Sequence, residues 1–176
     1  MTRLLCHPDT PCSADITISA EAVRNRRDGL YLRFIIDGAI DRIVLPPRGA
    51  PMRTDGLWQT TCCEAFLRPV GRPDYLELNF APSTAWAAYR FDAYRAGMRT
   101  ADVAPDMSRI GGIVQILVDL ASLPDWHAHD WSLGLSAVIE EQDGAKSYWA
   151  LRHPPGRPDF HHPDCFAMTL GAPPAP

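Results

Sequence analysis

Trp58, Glu64, Glu77, Asn79 and Arg90 lie close together in the stretch DGLWQTTCCEAFLRPVGRPDYLELNFAPSTAWAAYRFDAYRAGM. They fall at even spacings in three runs of strand-forming residues. In extended chain, successive side chains point to opposite faces. That puts Trp58, Cys62, Glu64 and Phe66 on one face of the first run and Tyr75, Glu77 and Asn79 on one face of the second. Trp86, Ala88, Arg90 and Asp92 then share a face of the third. Carboxylates, an amide and an indole are unusual company for a core and suit the wall of a polar binding site. Sugars are held by such sets: their C–H faces pack on aromatic rings, and carboxylates and amides bond their hydroxyls. The competing reading is a solvated face with Glu64 or Glu77 paired to Arg90, because strand register is not set by sequence. Trp149, in SYWAL, is a candidate second wall or a core residue.

A second group lies in HPPGRPDFHHPD, residues 153–164. Its prolines restrict the chain, so few rotors need freezing on binding. His153 and His161, with His162, Asp159 and Phe160, suit a divalent metal or hydrogen bonds to a ligand. The spacing matches no metal signature. The alternative is a structural loop in which Asp159 caps backbone amides and Phe160 tucks into the core. His127 and His129 share one side of an extended segment, but no further pair of zinc ligands accompanies them. Glu64 and Glu77 could also act as an acid–base pair, which leaves a sugar-directed enzyme as an alternative. No GxSxG, HExxH, CxxC or phosphate-cradling glycine loop occurs.

The elements that must position these groups read as strands. The 17 prolines fall mostly between apolar runs rather than inside them, as a chain of short strands requires. Runs at 15–19, 30–36, 40–45, 57–67, 75–81, 86–92, 113–120, 131–140, 147–151 and 165–170 predict about ten strands. Asp28-Gly29, Asp37-Gly38 and Asp143-Gly144 are turn signals. Alanine at 85, 87 and 88 offers a helix for that segment, but a strand better supplies the partner that 75–81 needs. The fold class is all-β, an antiparallel β-sandwich of jelly-roll or immunoglobulin-like kind. Residues 1–13 read as an N-terminal extension, 14–170 as one sandwich domain and 171–176 as a disordered tail.

Composition bounds the rest. The 176 residues are 46% hydrophobic and 22% charged, with a formal charge of −4. No broad basic field favours nucleic acid or a membrane surface, and Arg24, Arg26 and Arg27 read as a solvated turn. No apolar run approaches a membrane span or a signal peptide, which predicts a cytoplasmic protein. Five cysteines suit reduced thiols. Cys62 and Cys63 should point to opposite faces.

Together LWQTTCCEAFL, YLELNFAPS, WAAYRF and residues 153–162 resemble the DOMON-like family related to family 9 carbohydrate-binding modules. The resemblance spans residues 15–170. It implies an antiparallel β-sandwich with a ligand cleft on one sheet. Trp58 and Trp149 would then sandwich a sugar, with Glu64, Glu77, Asn79 and Arg90 as the polar set. Other DOMON relatives bind haem through a Met and a His, for which Met52, Met98, His153 and His161 are available. The expectation is therefore a non-catalytic module for a small polar ligand, a carbohydrate or sugar derivative, with no cofactor. A haem- or metal-binding module is the first alternative and a carboxylate-dependent enzyme the second. Oligomeric state is not legible.

Overall fold

Alternating apolar residues drive the chain into strands that bury one side against each other. The computed structural model describes residues 1–25 and 29–173. Its first seven strands are β1 (Thr2–Arg3), β2 (Leu5–Cys6), β3 (Ile16–Arg24), β4 (Gly29–Gly38), β5 (Met52–Arg53), β6 (Cys62–Pro69) and β7 (Tyr75–Phe80). Then come β8 (Ala85–Phe91), β9 (Arg99–Thr100), β10 (Pro105–Ile110), β11 (Ile113–Asp119), β12 (Trp131–Glu140), β13 (Lys146–Ala150) and β14 (Met168–Leu170). They form a five-stranded sheet, β1-β3-β4-β11-β10, and a nine-stranded one, β2-β13-β12-β6-β7-β8-β5, with β14 on β12 and β9 on β8. Among the described residues only the short β5 pairs in parallel, with β8; the other pairings are antiparallel.

The two sheets pack face to face as a β-sandwich. The smaller sheet contributes Ile18, Leu32, Phe34 and Ile116 to the shared core, and the larger contributes Leu67, Leu78, Leu135 and Trp149. Along β3, Ile16 and Ile18 are buried and Thr17 is less so, which is the expected alternation. The middle of the larger sheet departs from it. Every residue of β7, and all but Arg68 of β6, is buried, because loops cover the outer face as well. A second apolar cluster, including Phe66, Tyr75, Phe91, Val138 and Phe160, occupies that covered face.

Several local expectations change. The run at 57–67 is not one strand: Gly56 adopts a left-handed conformation (φ 78°), and Leu57–Gln59 forms a 3-10 turn before β6 begins. The run at 40–45 opens with a 3-10 turn, Ile40–Arg42, and makes only an isolated bridge from Ile43 to Glu141. Asp37-Gly38 therefore makes no hairpin into 40–45. Gly38 sits at φ 109° with no room for a side chain, since a Cβ would lie 2.2 Å from the Asp15 carbonyl oxygen. Segment 85–91 is the expected strand, and Thr84 at φ 73° closes the tight connection from β7. Asp143-Gly144 does turn β12 into β13, with Gly144 at φ 88°.

Among the described residues there are fourteen strands rather than about ten, the extra ones being β10 and two-residue edge pieces with too little pattern to read. Within residues 1–13, β1 joins one sheet and β2 the other. Cys62 and Cys63 face the outer cluster and the core respectively, and all five thiols are free. No helix among the described residues is long and apolar enough to cross a membrane. The expected turn at Asp28, with Arg26 and Arg27, lies outside the described residues, as does 174–176 of the expected tail.

Candidate functional site

Register decides which side chains meet. Glu64 on β6 lies opposite Asn79 on β7 and Ser136 on β12, while Glu77 lies opposite Phe66 and Tyr89. Glu64, Glu77 and Asn79 therefore share the outer face of the larger sheet. They are not a solvated surface: their relative exposures are 3%, 5% and 0%.

Two other strand residues go elsewhere. Arg90 pairs with Leu76, one residue off the expected register, and so points away from Glu77. Its guanidinium bonds Asp74 at 2.9 Å and lies over the Trp126 ring. Trp149 faces the inter-sheet core at 6% exposure, its indole donating to Ser147 Oγ at 2.9 Å. The second wall comes instead from its neighbour Tyr148, on the opposite face of β13. Trp58 reaches the site from the 3-10 turn rather than from a strand, with its ring edge-on to Tyr89. His153 is engaged at the N-terminal edge, bonding the Leu5 carbonyl at 2.8 Å and stacking edge-on with His7.

The result is a cavity of about 360 Å³. Glu64 and Glu77 are on its floor, Trp58, Tyr148 and Phe160 among its walls, and Arg95, Met98, Asp159 and His161 at its rim loops. Two loops build the rim. The 92–98 turn lifts Arg95, at φ 52°, over the sheet. The 151–167 loop lies on β12 because Gly134 leaves it room: a Cβ there would come 2.9 Å from the Cys165 carbonyl oxygen. Asp159 joins the two, accepting from Tyr94 Oη (2.5 Å), Arg95 Nη2 (2.7 Å) and the His161 backbone N–H (3.1 Å). Asp159 thus caps a backbone amide and Phe160 is buried, as the structural reading of the loop expects. Sequence reasoning missed Arg95 and Tyr148, and it named Met98 only as an available haem ligand. The signal for Tyr148 was there, since a polar aromatic alternating with a core tryptophan marks opposite faces of a strand.

Electrostatics follow from burial. Desolvation, and then the Glu77 charge, push the Glu64 carboxyl well above the usual carboxylate range. Burial also raises Glu77, partly offset by the Asn79 amide, which donates to Glu77 Oε1 at 2.8 Å, and by Arg95. A raised carboxyl contributes stability that is fully present below its unfolded pKa and lost as pH rises through its folded value. Glu64→Gln keeps the volume and removes the titration. Its melting temperature is expected to exceed that of the parent above neutral pH and to match it in acid, as thermal unfolding at the two pH values would show.

His161 behaves in the opposite sense. Burial, with Arg95 nearby, lowers it from 6.5 to about 4. The Arg95 backbone N–H donates to Tyr75 Oη (3.1 Å), and Tyr75 Oη lies 2.8 Å from His161 Nδ1. Tyr75 Oη and Nδ1 share one hydrogen bond, and the other ring nitrogen, Nε2, lies 3.6 Å from Glu77 Oε2. As pH falls from 6.5 to about 4, the unfolded chain takes up a proton that the folded one refuses, at a cost of up to about 3 kcal/mol. His161→Gln is expected to flatten the fall in stability across that window. An unchanged melting profile would contradict the assignment.

The loop histidines do not converge. His153 is at the edge, His161 is in the cleft, and His162 caps Asp164 N. Among the described residues no group of three His, Cys, Asp or Glu is placed to hold a metal ion. Met98 and His161 line the same cavity, but both ring nitrogens of His161 are turned to Tyr75 and Glu77. The residues present do not fit an axial haem ligand.

No family model matches the chain, and no curated protein is similar to it in sequence. Among solved structures it is similar to a "putative carbohydrate-binding protein" from Bacteroides uniformis, with a TM-score of 0.66 and 17% identity. The match covers 98% of this chain and 85% of that one. At that identity the likeness is one of fold.

Proposed function

We propose that this protein binds a small carbohydrate, without transforming it, in the cleft on the outer face of its larger sheet, as a DOMON-like relative of family 9 carbohydrate-binding modules. The observation that carries the reading is the union, in one cavity, of aromatic walls (Trp58, Tyr148) and fixed polar groups (Glu64, Glu77, Asp159). Flat rings take the C–H faces of a sugar, and carboxylates held by their surroundings accept its hydroxyls. A volume of about 360 Å³ is at the small end of ligand pockets, which run ~300–1,000 Å³. That suits one or two sugar rings rather than a polysaccharide chain. The similar solved fold described as carbohydrate-binding supports the same class. In this reading Glu64 and Glu77 recognise hydroxyl or amine groups rather than transfer protons.

Calorimetric titration with a panel of mono- and disaccharides tests the proposal. A saturable response is expected, weakened about 3- to 10-fold in either Trp58→Ala or Tyr148→Ala. Binding that is indifferent to both substitutions would contradict it, as would the absence of any response.

A further inference from the structure

The sheet under the cleft carries a row of buried polar atoms without partners, and Glu64 is the member of it that lines the cavity. Ser136, Glu64 and Asn79 stand side by side across β12, β6 and β7. Their exposures are 2%, 3% and 0%, and Ser136 Oγ, Glu64 Oε1 and Asn79 Oδ1 have no hydrogen bond. Buried polar atoms are normally satisfied, and leaving one unmade costs ~1–3 kcal/mol. A carboxylate oxygen and an amide oxygen are acceptors, and a hydroxyl can accept. Glu64 is the one of the three that a ligand in the cavity meets.

Charge points the same way: an ammonium beside Glu64 would offset the desolvation and the Glu77 charge that raise its carboxyl, so the acid ionises as the amine binds. Glu64 and Glu77 both line the cavity. Among the described residues no Lys or Arg makes an ion pair with either. Arg95, the cation at the rim, is committed to Asp159 at 2.7 Å. A neutral sugar hydroxyl would bring one donor to Glu64 and no charge. An ammonium brings three N–H donors, no acceptor and the missing positive charge, and its bonds to a carboxylate are charge-assisted.

We infer that the ligand of this cleft carries a protonated amine, as an amino sugar does, with its ammonium seated on Glu64 beside Glu77. This rests on the carbohydrate reading and narrows it to a substrate class. The ring stacks on Trp58 or Tyr148 while the amine reaches the floor, where N-acetylation would both remove the charge and add bulk.

Matched titrations test it. D-Glucosamine, D-galactosamine and D-mannosamine are each compared with the parent hexose and the N-acetyl form, at a pH where the amine is protonated. At least one amino sugar is expected to bind on the order of 10- to 100-fold more tightly than both counterparts. Glu64→Gln should shrink that preference to within about threefold. This variant keeps the side-chain volume, and its fold is checked by thermal unfolding. Parent hexoses that bind as well as the amino sugars would overturn the inference and leave the carbohydrate reading standing. A preference that survives in folded Glu64→Gln would overturn it in the same way. Failure of every sugar in the set would overturn both.

Discussion

Trp149→Ala is expected to destabilise the protein by about 3–5 kcal/mol, read as a fall in the urea midpoint. Its indole is 6% exposed, packed in the inter-sheet core, and its N–H is the donor that reaches Ser147 Oγ. Truncation leaves a cavity between two sheets that cannot collapse, together with a buried hydroxyl that has lost a donor. Trp58→Ala should cost only about 1 kcal/mol, the scale of one edge-on aromatic contact, because Trp58 is 39% exposed. On ligand binding the order reverses, because Trp58 lines the cavity and Trp149 does not. Equal stability losses in the two variants would contradict this division between wall and core.

Asp159→Ala is expected to open the cleft. Three donors converge on this carboxylate, one each from Tyr94, Arg95 and the His161 backbone. They join the 92–98 turn to the 151–167 loop. Hydrogen bonds to a charged group are worth ~1.5–3 kcal/mol each and are not additive within one network. The closed rim should therefore lose about 2–4 kcal/mol of local stability. Hydrogen exchange of both loops should rise, and affinity for any cleft ligand should fall on the order of 10- to 100-fold. Asp159→Asn keeps an acceptor in place and should fall between. Unchanged exchange in Asp159→Ala would mean that packing of Phe160, rather than the carboxylate, holds the loop down.

How much of this was legible depended on whether a residue's surroundings were local. Glu64, Glu77 and Asn79 share a face because each sits in a strand whose alternation is plain. Arg90 was misplaced by a one-residue register offset, which sends every side chain of a strand to the other face. Trp149 and Tyr148 exchanged places for a related reason: period two shows that they oppose each other, not which one meets the core. Trp58 kept its place at the cleft but not its strand, since a left-handed Gly56 and a 3-10 turn interrupt the alternation. The rim was the least legible part. Arg95 and Asp159 come together over 64 residues of chain, and no local pattern in either segment announces the other.

The most direct test uses the five tryptophans as reporters. In 15N-labelled protein titrated with the hexoses and hexosamines, each indole N–H gives its own resonance. Only Trp58 lines the cavity between Glu64 and the 151–167 loop. Carbohydrate binding there requires a saturable shift of the Trp58 indole signal, with those of the core residues Trp126, Trp131 and Trp149 nearly still. A static Trp58 signal throughout the titration, or a response centred on Trp149, would contradict it.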